Sequence, residues 1–152
     1  MNPIVVKFGG SSLATAAQFE KVAAIIRGAP ARRYVVASAP GKRFDGDTKV
    51  TDLLYRCYDA ACAGQEFAPV LDEIRQRFAD IISELQLQVD LVPDFAAIEA
   101  HLRTSPQRDY MASRGEYLNS KLLAAYLGFA FVDAAQMVLF RADGSFDAEA
   151  TN

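Results

Sequence analysis

The amino-acid sequence predicts an α/β fold built on a parallel sheet, and three stretches carry that prediction. β-Branched residues open the chain in "PIVVKF". Leu13, Ala16, Phe19, Val22, Ala23 and Ile26 then recur at helical spacing, and "RRYVVASA" follows as a second β-branched run. Strand, helix, strand in that order is the repeating unit of a parallel sheet. "PIVVKF" reads as a buried strand, because parallel strands are covered on both faces. "GAP" at 28–30 ends the first helix with Gly then Pro.

After the second strand, "PGKRFDGDTK" is a polar loop, and a helix resumes near Thr51, with the hydroxyl of Thr51 or Thr48 as a candidate cap. Leu71, Ile74, Phe78, Ile81 and Leu85 then follow at steps of four and three. They predict an amphipathic helix that pairs as a hairpin with the helix before it. "VPDFAAIEAHL" starts another helix with Asp94 near its beginning. "SPQRDYMASRGEYLNSKLLAAYLGF" holds one or two more and stops at Gly128. "FAFVDA" and "QMVLF" read as two further strands, which makes about four in all where open sheets average five or six. With "FDAEATN" the sequence stops without a closing helix or strand, so a first part of a larger sheet is expected.

Composition narrows the function. The 152 residues suit one domain; 51% are hydrophobic and 23% charged, as in a soluble globular protein. A net charge of -3 gives no basic surface for nucleic acid or anionic membranes, and the apolar runs are too short to span a bilayer. The N-terminus has no signal-peptide pattern, so a cytoplasmic location is expected. Cys57 and Cys62, five apart on a predicted helix, point to different faces and read as free thiols rather than a disulfide or metal pair. His101 is the single histidine, which excludes a multi-histidine metal site.

Three short motifs could carry chemistry. In "VVKFGGSS" a strand runs through a glycine turn into a helix start, where backbone N–H groups and Lys7 would suit an anion. Read alone, it could equally be a tight turn with a serine cap at Ser11 or Ser12. In "VVASAPGK" a second strand runs into small residues at the same carboxyl edge of the sheet, where open α/β sheets bind ligands. Ser38 there could bond a ligand or satisfy its own turn. In "SRGEYLNSK", Ser113 and Glu116 have the spacing of a capping box. Glu116, Asn119 and Ser120 also share one helix face, which could meet solvent or a polar ligand; taken alone, solvent is the expectation. The lysines and arginine of "GKRFDGDTKVT" are expected to face water.

In this order and combination the motifs resemble the N-terminal part of aspartate kinases, within the amino acid kinase family. "VVKFGGSSLA" is similar to the family's opening K-F-G-G-[ST]-S, "VVASAPGK" to its second strand and loop, and "TDLLY" to the following helix start. "SRGEYLNSKLLAAYL" resembles its S-x-G-E-x-x-[NS] helix and "FVDA" the strand after it. The resemblance implies a three-layer αβα sandwich with a mostly parallel sheet, present as its N-terminal, amino-acid-binding part. It implies ATP-dependent phosphorylation of the L-aspartate side-chain carboxylate, with ATP and Mg2+ as cofactors. Lys7 would stabilise the moving phosphoryl group, and Gly9, Gly10 and Ser11 would donate backbone hydrogen bonds to phosphate, the glycines leaving room for it. Ser38, Thr51 and Glu116 match positions that contact the amino acid, Glu116 being suited to its ammonium group. The family's "RGGSD"-like segment, its catalytic aspartate and its regulatory ACT domains do not occur in these residues. The chain alone is therefore expected to be inactive, and a cut sheet edge is expected to self-associate, giving a homo-oligomer. Two other readings stand beside this one: a kinase for another small carboxylate, and a non-catalytic module of the same ancestry.

Overall fold

The structure, a computed structural model, describes residues 2–151. Strand β1 (Ile4–Phe8) leads through a 3-10 turn (Gly10–Leu13) into α1 (Ala16–Arg27), and β2 (Arg32–Ala37) returns parallel to β1. Four helices follow: α2 (Val50–Cys62), α3 (Ala68–Glu84), α4 (Val92–Thr104) and α5 (Arg108–Leu127). A 3-10 turn at Ala134–Gln136 and a short α6 (Ala148–Thr151) complete the described residues.

Helix α1 starts where Thr15 caps it, its hydroxyl accepting from the Gln18 N–H, and it buries the predicted stripe of Ala16, Phe19, Val22, Ala23 and Ile26. Helices α2 and α3 pack as the expected hairpin. Gly128 ends α5 at φ 72°, a left-handed position where a side chain is strained. Fully buried Phe19, Phe78, Leu13, Leu53, Leu71, Ile98 and Leu118 join the helices into one core, each contributing about 1.5–3 kcal/mol. Cys57 is buried and Cys62 exposed, both free; burial pushes the Cys57 thiol up to about 11, where it is inert.

The sheet departs from expectation in two ways. Register pairs Val5 with Tyr34, Val6 with Val35, Lys7 with Val36 and Phe8 with Ala37, so the partners alternate between faces. Val6, Phe8, Val35 and Ala37 pack on the helical core. The other face is bare: Val5 is 65%, Tyr34 60% and Val36 52% exposed, and Lys7 is exposed among them. β1 is therefore half-covered rather than buried, and the described residues make up two of the three layers.

Of the four predicted strands, only two form. Residues 129–133 make no ladder; residues 129–132 flank an apolar groove of about 800 Å³ that also borders β2. "QMVLF" contributes a lone antiparallel bridge, Phe140 to Phe146. Both segments have strand composition, but a strand exists through a neighbour's backbone, and here neither reaches one long enough to ladder with.

Two predicted caps are also absent. Helix α2 has Lys49 at its cap position, with no side-chain bond; the Pro40 carbonyl accepts from Val50 N–H at 3.1 Å instead. Thr51 thus sits in the first turn with its hydroxyl free of capping. Ser113 and Glu116 lie inside one continuous α5, which begins at Arg108, so they form no capping box. The Ser113 hydroxyl donates to the Tyr110 carbonyl within the helix.

Candidate functional site

Beyond the carboxyl ends of β1 and β2 the two following loops cross in backbone contact. Gly41 N–H donates to the Gly10 carbonyl at 2.8 Å. A methyl group at Gly10 would stand 2.7 Å from the Ala39 carbonyl oxygen, and one at Gly41 would stand 2.6 Å from the Gly10 carbonyl carbon. These glycines let one loop lie on the other. That corrects the expectation that both simply leave room for a phosphoryl group: Gly10 is spent on packing, and only Gly9, beside which a methyl would meet nothing within 4 Å, faces open space.

The difference yields a test. Gly41→Ala is expected to destabilise the fold by about 1–3 kcal/mol through overpacking against backbone. Gly9→Ala, at an ordinary φ of -77°, should stay within about 0.5 kcal/mol. Denaturant unfolding of the two variants side by side measures this, and equal stabilities would refute the crossing-loop account.

Helix α5 closes over the crossing. Gly115 lies inside it, where glycine costs about 1 kcal/mol relative to alanine. A methyl there would come within 2.6 Å of the Ala39 side chain and 3.4 Å of Leu54, so the glycine brings α5 down onto the loop and α2. The next residue, Glu116, accepts through Oε1 from Ala39 N–H at 3.2 Å, and one turn on from Gly115, wholly buried Asn119 donates from Nδ2 to the Ser38 carbonyl at 2.7 Å. The polar stripe expected to face solvent therefore holds the loop after β2.

A cavity of about 470 Å³ opens here, lined by Gly10, Ser11, Ser38, Ala39, Pro40, Gly41, Lys42, Lys49, Thr51 and Glu116. Five of the sequence-predicted residues, Gly10, Ser11, Ser38, Thr51 and Glu116, thus come together from four separate segments. Glu116 Oε2 is buried without a hydrogen-bond partner among the described residues. An unpartnered buried carboxylate oxygen is costly unless a donor arrives from elsewhere, so the cavity is suited to a cationic group. Lys7 and Gly9 do not line this cavity; Lys7 stands on the bare sheet face.

The loop between β2 and α2 is more ordered than its composition suggested. Asp47 is buried and accepts from Arg43 N–H, Nε and Nη2 at 2.8–2.9 Å. Arg43 and, more weakly, Arg77 hold the Asp47 carboxyl well below the usual carboxylate range. Arg77 of α3 is 3% exposed and donates to the carbonyls of Thr48 at 2.5 Å and Gly41 at 2.6 Å. Its guanidinium also lies 3.8 Å from Asp47. The arginine was expected to face water with the lysines; instead Arg43 is bound to Asp47, while Lys42 and Lys49 border the cavity. Arg77 escaped sequence reading altogether. Its one signal was position: an arginine three residues after Ile74 and four before Ile81, on the apolar stripe of α3.

Comparison with known proteins gives the family and the fold. The model of the amino acid kinase family matches residues 2–151. The chain belongs to the amino acid kinase family. Aspartokinase 3 of Bacillus subtilis is 41% identical over 137 residues, covering 86% of this chain and 30% of the relative. Chloroplastic aspartokinase 1 of Arabidopsis thaliana is 31% identical over 146 residues, covering 90% and 25%. The crystal structure of Clostridium acetobutylicum aspartate kinase superposes with a TM-score of 0.94 at 42% identity, over 99% of this chain and 35% of that one. Escherichia coli aspartokinase III, solved with aspartate and ADP, shares the fold at a TM-score of 0.73 and 22% identity, over 99% and 36%. The chain thus spans about a quarter to a third of the length of these family members, and within that part it has the family's α/β fold. Among the described residues, no helix is long and apolar enough to cross a membrane.

Proposed function

We propose that the chain is the amino-acid-binding part of an aspartate kinase, which transfers the γ-phosphoryl group of ATP to the side-chain carboxylate of L-aspartate, giving 4-phospho-L-aspartate. The observation that carries this reading is the cavity uniting Ser38, Thr51 and Glu116, with a Glu116 oxygen left for a donor. The identity to B. subtilis aspartokinase 3 supports the choice of substrate within the family.

In this reading Glu116 takes the substrate ammonium, and the Ser38 and Thr51 hydroxyls orient the carboxylates. Lys7 and the turn after β1 face the phosphoryl group. The first N–H groups of a 3-10 turn have no partner inside it, so those of Gly10 and Ser11 fit phosphate oxygens. Bound ATP supplies the phosphoryl group, and such a transfer asks the protein for alignment and charge neutralisation more than for acid–base groups. Mg2+ is the expected companion of the nucleotide. Among the described residues no group of three His, Cys, Asp or Glu side chains fits a metal ion, so no step is assigned to it. The nucleotide-binding half and the regulatory ACT domains belong, in this proposal, to sequence outside these 152 residues. We place the reaction in the cytoplasm and the enzyme in a homo-oligomer.

A coupled assay of ADP release with aspartate, ATP and magnesium, on the full-length enzyme carrying this chain, tests the reading; ADP release indifferent to aspartate would refute it. Glu116→Gln is expected to weaken aspartate binding by about 1.5–3 kcal/mol, the range for a hydrogen bond to a charged group, with nucleotide binding held. A variant that melts earlier but binds aspartate normally would leave Glu116 only its bond to Ala39.

A further inference from the structure

Four cations surround the loop between β2 and α2, and they divide into two pairs. Arg43 and Arg77 are both turned to Asp47, at 2.8 and 3.8 Å. Lys42 and Lys49 line the cavity, and neither takes part in any ion pair of the described residues. The cavity is therefore bordered by one carboxylate, Glu116, and by two exposed lysines that have no ion-pair partner among the described residues. An acidic amino acid is the complement of that set: one ammonium and two carboxylates.

The placement of the lysines depends on one buried side chain. Arg77 Nη2 donates to the Gly41 carbonyl and Nη1 to the Thr48 carbonyl. Those are the peptide groups that lead directly into Lys42 and Lys49. A single rigid guanidinium thus ties the backbone at both lysines, beside the Val50 N–H to Pro40 carbonyl bond that joins the ends of the loop. Burying that charge is expensive, and its Nε has no hydrogen-bond partner among the described residues. An apolar residue beside Ile74, Phe78 and Ile81 would pack as well or better, since buried ion pairs are often matched by hydrophobic replacements. The arginine is explained by what it holds.

We propose that Lys42 and Lys49 form a cationic pincer for the two carboxylates of the acidic substrate, and that Arg77 is the positioning residue that sets its span. This rests on the aspartate kinase reading and adds to it the groups that select an acidic amino acid over a neutral one.

The test is steady-state kinetics on the full-length enzyme carrying this chain, with Lys42→Gln, Lys49→Gln and Arg77→Lys, and with succinate as a competitive probe. Succinate has both carboxylates and no ammonium, so it isolates the pincer from Glu116. Each lysine variant is expected to raise the aspartate KM and the succinate inhibition constant about 10-fold, the low end for a charged hydrogen bond at an exposed rim. The KM for ATP and kcat should hold. Arg77→Lys keeps the charge but cannot fork to two carbonyls. It should raise the aspartate KM with kcat held, and more than any loss of melting temperature explains. Succinate inhibition unchanged in both lysine variants would overturn the pincer. Normal aspartate KM in an Arg77→Lys protein that melts early would reduce Arg77 to a structural role. If the wild-type enzyme shows no aspartate-dependent turnover, the kinase reading fails separately. Calorimetric titration of succinate into the wild type and the lysine variants then decides the pincer, with equal affinities overturning it.

Discussion

Replacing Lys7 by alanine is expected to lower turnover about 10²–10³-fold while leaving the aspartate KM close to its starting value, the size of effect seen when one preorganised electrostatic contact to a transition state is removed. The structure sharpens the reason. Lys7 does not line the cavity where Glu116, Ser38 and Thr51 meet, and it makes no ion pair among the described residues. It stands exposed on the bare face of the sheet, two residues before Gly9, so its charge is not committed to the cavity at Glu116. A charge used mainly as the phosphoryl group moves shows up in kcat rather than in KM. Melting curves of the variant and the wild type, taken alongside, separate lost activity from misfolding. Steady-state kinetics on the full-length enzyme checks this. A raised aspartate KM with unchanged kcat would move Lys7 from transfer to substrate binding.

Asp47→Asn is expected to cost on the order of 3 kcal/mol of folding stability, because it strips the counter-charge from a buried arginine. Set against a typical total of about 5–15 kcal/mol, that is a large share. Asp47 is buried, carries three hydrogen bonds from Arg43, and faces the guanidinium of Arg77. The asparagine amide can keep some of the geometry but none of the charge.

The pH dependence follows from the direction of the shift. The folded-state carboxyl of Asp47 is held below its ordinary value, first by its hydrogen bond to Arg43. Its stabilisation is therefore present in full above the unfolded value of about 3.9, and is lost as pH falls through the lower folded value. The stability gap between wild type and Asp47→Asn should be constant from pH 7 to pH 5, begin to narrow below about pH 4, and survive in part at pH 3. Denaturant unfolding across that range measures it. A gap that is the same at every pH would mean that hydrogen-bond shape, not charge, is what Asp47 supplies.

How far the residues alone led differs from element to element. The stripe of α1, the α2–α3 hairpin and the stop at Gly128 were legible because each is a local matter: helical spacing within one segment, or one residue's tolerance of positive φ. The two loops at the carboxyl edge were legible for the same reason, since strand followed by small residues is a pattern along the chain. Gly10, Ser11 and Ser38 lie on those loops, whereas Thr51 and Glu116, on α2 and α5, were placed with them only by the family resemblance.

The misreadings have the opposite character. Ser113 and Glu116 have the spacing of a cap, yet Glu116 bonds Ala39, 77 positions away in sequence. Thr48 and Thr51 are good cap residues, yet Lys49 holds the cap position and the Pro40 carbonyl, ten residues before Val50, takes the Val50 N–H. The segments at 129–133 and 137–140 have strand composition without a neighbouring ladder. In the first two cases a local propensity worth about 1 kcal/mol yielded to a partner that only the folded chain brings near, and in the third no partner strand lies near enough to satisfy it.

By itself, then, the sequence determined the parallel β-α-β opening, the amphipathic helices and the family, because periodicity and contiguous motifs are properties of neighbours along the chain. Only the tertiary structure decided that Gly10 and Gly41 serve a crossing of loops, that Arg77 grips the peptides before Lys42 and Lys49, and that Lys7 stands apart from the cavity at Glu116. Those are relations between residues about 30 or more positions apart. Such contacts are set by packing and by the need of buried polar groups for a partner, and no pattern along the chain encodes which partner that will be.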